Sequence, residues 1–255
     1  MPADALLRVR GLGRSYPRGG GAFWAVRDVW FELARGRILG VVGASGSGKS
    51  TLARCLAMVE PATRGELFLE GRLLSSGRRG AIQLIFQQPA ATLNPRFTAE
   101  EIVSEPLRIQ NRGTRAERRR MAFELMELVG LPPGAAHRKA LESSGGERQR
   151  LAIARGLALS PSLLILDESL SGLDLSIQAQ ILNLLVDLQE RRGLTSILIS
   201  HDLGVVAQIA DEIAVMDAGT IVEHGAAVEL LARPRHARTR ELLDAAALLA
   251  PGGWR

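Results

Sequence analysis

The stretch that most constrains this sequence is eight residues long: Gly43-Ala44-Ser45-Gly46-Ser47-Gly48-Lys49-Ser50. It follows a wholly apolar run, Ile38–Val42, and opens a helical pattern that extends from Lys49 to about Val59. A short apolar run ended by glycines reads as a buried strand, so the order is strand, loop, helix. Glycines in such a loop let backbone N–H groups curl around phosphate oxygens, and the helix N-terminus adds a favourable dipole. Lys49 supplies a compact positive charge for β and γ phosphates, Ser50 a hydroxyl ligand for magnesium, and Thr51 follows on the same turn. The lysine stands out. Only two of the 32 basic residues are lysines, Lys49 and Lys139, so arginine is the habitual cation of this chain.

Further along, the apolar strand Leu163–Leu166 ends in Asp167 and Glu168. Carboxylates at the C-terminal edge of a strand stand where open α/β sheets bind their ligands. Asp167 suits magnesium through an intervening water, and Glu168 suits polarising an attacking water. Around these motifs the pattern alternates. Helices are expected from Glu147 to Ala158, from about Ser176 to Arg191 and near 203–210, with strands at Ser196–Ser200 and Ile213–Met216. Such alternation implies a mostly parallel sheet covered on both faces. The first forty residues instead read as antiparallel strands, Leu6–Arg10 and Val26–Leu33, with Gly19-Gly20-Gly21 as a loop tip. Residues 98–130 turn helical and charged, with Arg115–Arg120 a solvated face and Phe123, Leu125, Met126 and Leu128 offering apolar contacts.

Composition narrows the function. The 255 residues suit one large domain or two intimately joined lobes. The single cysteine, Cys55, rules out an intrachain disulfide and a multi-cysteine zinc site, and reads as a small buried residue in a chain of the reducing cytosol. No apolar run approaches the roughly 18 to 20 residues needed to span a bilayer, and Met1-Pro2-Ala3-Asp4 does not open a secretory signal. The net charge is +5, but the basic residues are spread from Arg8 to Arg255, and aromatics make up only 4%. No nucleic-acid partner is expected.

The segment Ser143-Ser144-Gly145-Gly146-Glu147-Arg148-Gln149-Arg150 opens a helix upstream of Asp167. Ser144 and the N–H groups of Gly145 and Gly146 form a second anion site, one that a chain cannot easily fold back onto its own phosphate loop. The segment resembles the signature of the ATP-binding cassette (ABC) ATPases, usually Leu-Ser-Gly-Gly-Gln, with Ser143 in place of the leucine and Glu147 in place of the glutamine. Other elements resemble the family in order. Gln87 matches its sensor of magnesium and the γ phosphate, Ser171-Gly172-Leu173-Asp174 its dimer-contact loop, and His201 its switch histidine. Tyr16, the one tyrosine, lies where the family places an aromatic that stacks on adenine, with Phe23 and Trp24 as rivals. The resemblance implies ATP and magnesium as ligands, with Ser50, Gln87 and Asp167 around the ion. It also implies ATP hydrolysis and a head-to-tail dimer in which Ser144, Gly145, Gly146 and Glu147 cap the partner's ATP.

The implied fold is an α/β phosphate-loop nucleotide-binding domain over residues 1–255. It has a mostly parallel core sheet, an N-terminal antiparallel β region, a helical subdomain at about 89–161 and a C-terminal extension at about 230–255. Chromosome-type members place long coiled coils between the phosphate loop and the signature, whereas fewer than a hundred residues separate Lys49 from Ser143 here. Twin cassettes need two phosphate loops. A stand-alone cassette remains.

Gln87-Gln88-Pro89, with Thr92-Leu93-Asn94-Pro95-Arg96, resembles the dipeptide, oligopeptide and nickel importer group. Pro234-Arg235-His236-Ala237-Arg238-Thr239-Arg240 resembles its His-Pro-Tyr-Thr-Arg segment, broken at Ala237 and Arg238. The short tail beyond leans towards the nickel and metal-chelate members. The group implies a second ATPase chain, like or unlike, two membrane permeases and an extracytoplasmic solute-binding protein. It places the chain at the cytoplasmic face of the inner membrane, with a coupling groove near Gln87–Arg96. The alternative is the cassette of a carbon–phosphorus lyase assembly, which resembles the same group and transports nothing.

Overall fold

The computed structural model describes residues 5–74, 80–87 and 92–249. Gln88 and Pro89 lie outside the described residues, as do other parts of the Gln87–Arg96 expectation at 90 and 91. Along the chain run β1 (Ala5–Arg18), β2 (Gly21–Ala34), β3 (Ile38–Val42), α1 (Lys49–Leu56), β4 (Arg64–Leu69), β5 (Arg72–Leu73) and β6 (Ile82–Ile85). Three longer helices follow, α2 (Ala99–Ile109), α3 (Arg115–Leu128) and α4 (Gly145–Leu157), then β7 (Leu163–Asp167) and α5 (Leu175–Arg192). The chain continues with β8 (Thr195–Ser200), α6 (Leu203–Ala207), β9 (Glu212–Asp217), β10 (Thr220–Ala226), α7 (Ala227–Ala232) and α8 (Ala237–Leu249). It divides into two compact units, Met1–Arg79 with Val186–Arg255, and Gly80–Leu185.

In the first unit, β1 pairs antiparallel with β2 and with β4, and β5 extends β4. The same unit holds β3 parallel to both β8 and β9, with β10 antiparallel on β9. Every residue of β3 is buried, which is why its sequence is a continuous apolar run with no alternation. The first two strands are 14 residues each, longer than the apolar runs Leu6–Arg10 and Val26–Leu33. Beyond Arg14 the ribbon has no buried side, so no period-2 signal marks it. Cations cover its aromatics instead: Arg18 lies 5.8 Å from the Phe23 ring centroid and Arg64 4.7 Å from that of Trp24. The helix expected near 203–210 ends at Ala207, where Gln208 to Ala210 continue as single turns before Asp211.

Gly40, in the middle of β3, faces α6. A Cβ there would fall 1.9 Å from Val206 Cγ1. We expect Gly40→Ala to destabilise the fold by about 1–3 kcal/mol, the usual range for overpacking a filled core. The change should appear as a lower urea midpoint with an unchanged slope; an unchanged midpoint would mean that α6 moves off β3 at no cost.

The C-terminal segment is anchored by one carboxylate. Glu223 of β10 accepts from the N–H groups of Arg235 and His236, each at 2.9 Å, and from the hydroxyl of the fully buried Thr239. The Pro234–Arg240 segment therefore closes α8 onto β10, with Arg238 reaching Asp217 at 3.5 Å.

In the second unit, β6 runs parallel to β7. The helices α2, α3 and α4 each begin with a capping box, Thr98 with Glu101, Thr114 with Glu117, and Ser144 with Glu147. Such caps satisfy N–H groups that the helix itself leaves unpaired, at about 1 kcal/mol per cap. The apolar faces of these helices meet through Ile102, Val103, Leu107, Ala122, Met126 and Ile153, all buried. Together the two units show an α/β architecture with an N-terminal antiparallel sheet, mostly parallel core strands and a helical region.

Candidate functional site

Each compact unit brings its chemistry to the C-terminal ends of parallel strands. In the first unit, Val42 of β3 is in register with Ser200 of β8 and with Val215 of β9. The phosphate loop and His201 therefore leave adjacent strand ends, and His201 is exposed there.

The loop closes on itself before entering α1. Ser47 N–H donates to Ala44 O at 3.1 Å, Gly219 N–H to Ser47 O at 3.0 Å, and Leu52 N–H to Gly48 O at 2.9 Å. Gly48 is the N-cap of α1 with φ 104, a conformation that favours glycine, and a Cβ there would lie 2.2 Å from Ala25 O. Lys49, 3% exposed, donates from Nζ to Gly43 O at 2.8 Å and Ala44 O at 2.9 Å. Its charge is thus aimed back across the loop's mouth. Ser45 and Gly46 are exposed at that mouth, Ala44 and Ser50 half-buried, and Ser47 and Thr51 buried. Ser47 Oγ is buried with no hydrogen-bond partner, a polar atom left over inside the cradle. An ammonium, a hydroxyl and helix-start N–H groups around a glycine turn suit a phosphate chain.

Tyr16, on β1, donates its hydroxyl to Glu60, while the Arg14 guanidinium sits 4.8 Å from its ring centroid. Its rivals are placed differently: Phe23 is 47% exposed at the ribbon tip and Trp24 lies under Arg64. Cys55, in α1, is buried, and burial pushes its thiol up to about 11, which disfavours the reactive thiolate near neutrality.

In the second unit, Ile85 of β6 is in register with Leu166 of β7, so Gln87 and the Asp167-Glu168 pair leave the same edge. Gln87 Nε2 donates to Glu168 Oε2 at 3.1 Å. Asp167 is 4% exposed at the end of β7. Glu168 has φ 44, an unusual backbone region for a non-glycine residue and one that clusters at working sites. Ser171 holds that turn: its N–H and its Oγ both donate to Glu168 O, at 3.1 and 2.7 Å. Downstream, Asp174 Oδ1 accepts from Ile177 N–H at 2.9 Å and starts α5. Ser50 in the first unit, and Gln87 and Asp167 in the second, each offer a hard oxygen donor of the kind magnesium takes.

The signature segment forms the start of α4. Ser144 is its N-cap, accepting from Glu147 N–H at 3.2 Å, while Glu147 Oε2 accepts from Ser144 N–H at 2.8 Å. Glu147 Oε1 takes Arg138 Nη2 at 2.6 Å. These partners, the Ser144 N–H first and Arg138 next, hold the Glu147 carboxyl below the usual range. Arg138 is a residue the sequence reading missed, and it explains why a charged residue sits where a neutral glutamine is usual. Gly146 packs so closely on α5 that a Cβ would lie 2.8 Å from Ile177 Cγ2, whereas Ser144 and Gly145 are exposed. Ser143 is buried, donating its N–H to Ala140 O.

Comparison with known proteins gives consistent results. The family profile described as ABC transporter matches residues 26–171. A putative peptide import ATP-binding protein of Brucella ovis is 46% identical over 253 residues, covering 96% of this chain and 80% of that protein. A dipeptide transport ATP-binding protein of Escherichia coli is 44% identical, covering 96% and 78%. Among solved structures, a dimeric ATP-binding cassette in a post-hydrolysis state, bound to ADP and phosphate, matches with a TM-score of 0.78. It is 29% identical, covering 87% of this chain and 98% of that one. A cassette from an ABC transporter complex of Clostridium perfringens matches with a TM-score of 0.81 at 26% identity, covering 97% and 96%.

Proposed function

The chain belongs to the ABC transporter family, and from that premise we propose that it binds ATP with magnesium, hydrolyses it, and serves as the motor subunit of a peptide importer. The observation that carries the proposal is the phosphate cradle, with a buried lysine held across a glycine-capped helix start.

In this reading Gly43 to Thr51 hold the phosphates, Lys49 neutralises the β and γ oxygens, and Tyr16 stacks on the adenine. Ser50, Gln87 and Asp167 hold magnesium, which when bound supplies positive charge to the phosphate oxygens. Glu168 accepts a hydrogen bond from the attacking water as its oxygen bonds to the γ phosphorus and the bond to ADP breaks. Gln87, bonded to Glu168, ties that carboxylate to the segment leading towards the membrane partner. His201 contacts the γ phosphate. Ser144, Gly145, Gly146 and Glu147 reach the ATP of a second ATPase chain, so closure of the dimer precedes turnover.

The 44–46% identity to proteins named for peptide and dipeptide transport supports the peptide arm of the importer group. Among the described residues no helix is long and apolar enough to cross a membrane. In this reading two permease subunits form the membrane path, and an extracytoplasmic binding protein delivers the solute to the outer side of the inner membrane. Affinity purification of the tagged chain from its native cell in mild detergent, with partners identified by mass spectrometry, tests this. The expected result is two polytopic permeases and a cassette partner. Recovery of soluble phosphonate-processing proteins without permeases would overturn the transport role.

A further inference from the structure

Helix α1 begins at the phosphate cradle and runs about 12 Å to Leu56, from which a turn leads to Glu60, the partner of Tyr16. Its C-terminal turn closes through the N–H groups of Val59 and Glu60, both donating to Arg54 O at 2.9 and 3.2 Å, with Met58 at φ 55. That turn brings Glu60 to the end of β1. There the carboxylate collects three partners: the Tyr16 hydroxyl, Arg54 Nε at 2.7 Å and Arg14 Nε at 3.6 Å. The neighbouring backbone is tied down as well. Thr63 N–H donates to Gly13 O at 2.8 Å, and Ser15 N–H to Thr63 Oγ1 at 3.0 Å.

A short polar element after a helix has a simpler use, which is to stop the helix. That use does not require three side chains, one of them a tyrosine hydroxyl, to converge on one carboxylate. The Glu60 and Arg14 side chains are 25% and 23% exposed, so their bonds form in a partly desolvated setting where they are stronger than at an open surface. The Tyr16 hydroxyl, more than Arg54 or Arg14, also holds the Glu60 carboxyl below its usual range.

We infer that Glu60 is a positioning residue for the nucleotide base: by holding the Tyr16 hydroxyl it fixes the aromatic platform relative to the phosphate cradle at the other end of the same helix. The inference rests on the reading of Tyr16 as the adenine platform. Glu60 acts through Tyr16 and touches no reacting atom. Arg14 covers one ring face, so the base stacks on the other. Because the cradle itself does not depend on Glu60, the phosphates should not register its loss.

The test compares binding of ATP and of inorganic tripolyphosphate, both with magnesium, to the full chain and to its Glu60→Gln, Tyr16→Phe and Tyr16→Ala variants. We expect Glu60→Gln and Tyr16→Phe each to weaken ATP about tenfold, as loss of one charge-assisted hydrogen bond does. The double variant should weaken it no further, with tripolyphosphate affinity unchanged, and the effect should fall on KM more than on kcat. If tripolyphosphate weakens in parallel, or if ATP binding survives both variants while Tyr16→Ala loses it, Glu60 has no positioning role and the platform stands. If Tyr16→Ala binds ATP as before, the platform reading falls and the inference with it. Tyr16→Phe removes only the hydroxyl and carries the comparison should Glu60→Gln fail to fold.

Discussion

Lys49→Ala should lose ATP binding by at least about a hundredfold, since it removes a desolvated point charge aimed at the phosphates and several charge-assisted hydrogen bonds at once. The substitution also leaves Gly43 O and Ala44 O without the donors they have in the native loop. Folding must therefore be read separately. The apo variant should still melt cooperatively, but the rise in melting temperature on adding ATP, which at a hundredfold excess over Kd corresponds to about 2.7 kcal/mol for a competent site, should vanish. Lys49→Arg is expected to fail in the same assay. Buried Lys49 bonds two loop carbonyls through a compact ammonium, a geometry that a planar guanidinium does not reproduce, and in a chain that otherwise uses arginine almost everywhere this is the informative control. ATP binding that persists in Lys49→Ala would remove the phosphate-loop reading altogether.

The second large effect is expected at Glu168. Glu168→Gln keeps the side-chain shape and the backbone position at φ 44 but loses the group that polarises water. Turnover should fall by about 10²–10⁴-fold while ATP affinity is retained. With hydrolysis blocked and binding intact, the ATP-bound dimer should accumulate, which size-exclusion chromatography with light scattering will detect. Gln87→Ala is a useful comparison, because it breaks the 3.1 Å contact to Glu168 without touching the carboxylate itself. If Glu168→Gln hydrolyses ATP at the native rate, Glu168 does not activate the water and another group on this strand edge must.

The parts of this molecule that could be read from sequence are those whose chemistry needs contiguous residues. A glycine loop at a helix start is a run of backbone N–H groups and has to be local, so residues 43–50 announced it, as the apolar run before Asp167-Glu168 announced a buried strand that ends in two carboxylates. Buried strands were legible for the same reason: β3 is apolar throughout, and β7 and β8 carry the apolar runs Leu163–Leu166 and Ile197–Ile199, because these residues are buried. The illegible parts depend on distant partners. Nothing in Glu60 signals a tyrosine 44 residues earlier, and nothing in Arg138 signals the carboxylate of Glu147. The far half of the β1–β2 ribbon and β10 were missed because exposed pairing leaves no alternation of apolar and polar residues. The capping boxes of α2, α3 and α4 follow the Thr/Ser-x-x-Glu pattern, which is local and therefore legible in the sequence.

The capping box at the start of α4 closes that helix's first turn. A helix whose first turn is already closed by its own serine and glutamate is finished before any other molecule arrives. Ser144, Glu147 and Arg138 hold that end in shape within the single chain. In the proposed dimer, association then orders little that was loose, and most of the entropy usually lost when an interface forms has been lost beforehand, during folding. Such an end can dock and release repeatedly as a rigid body, with little backbone rearrangement in either direction.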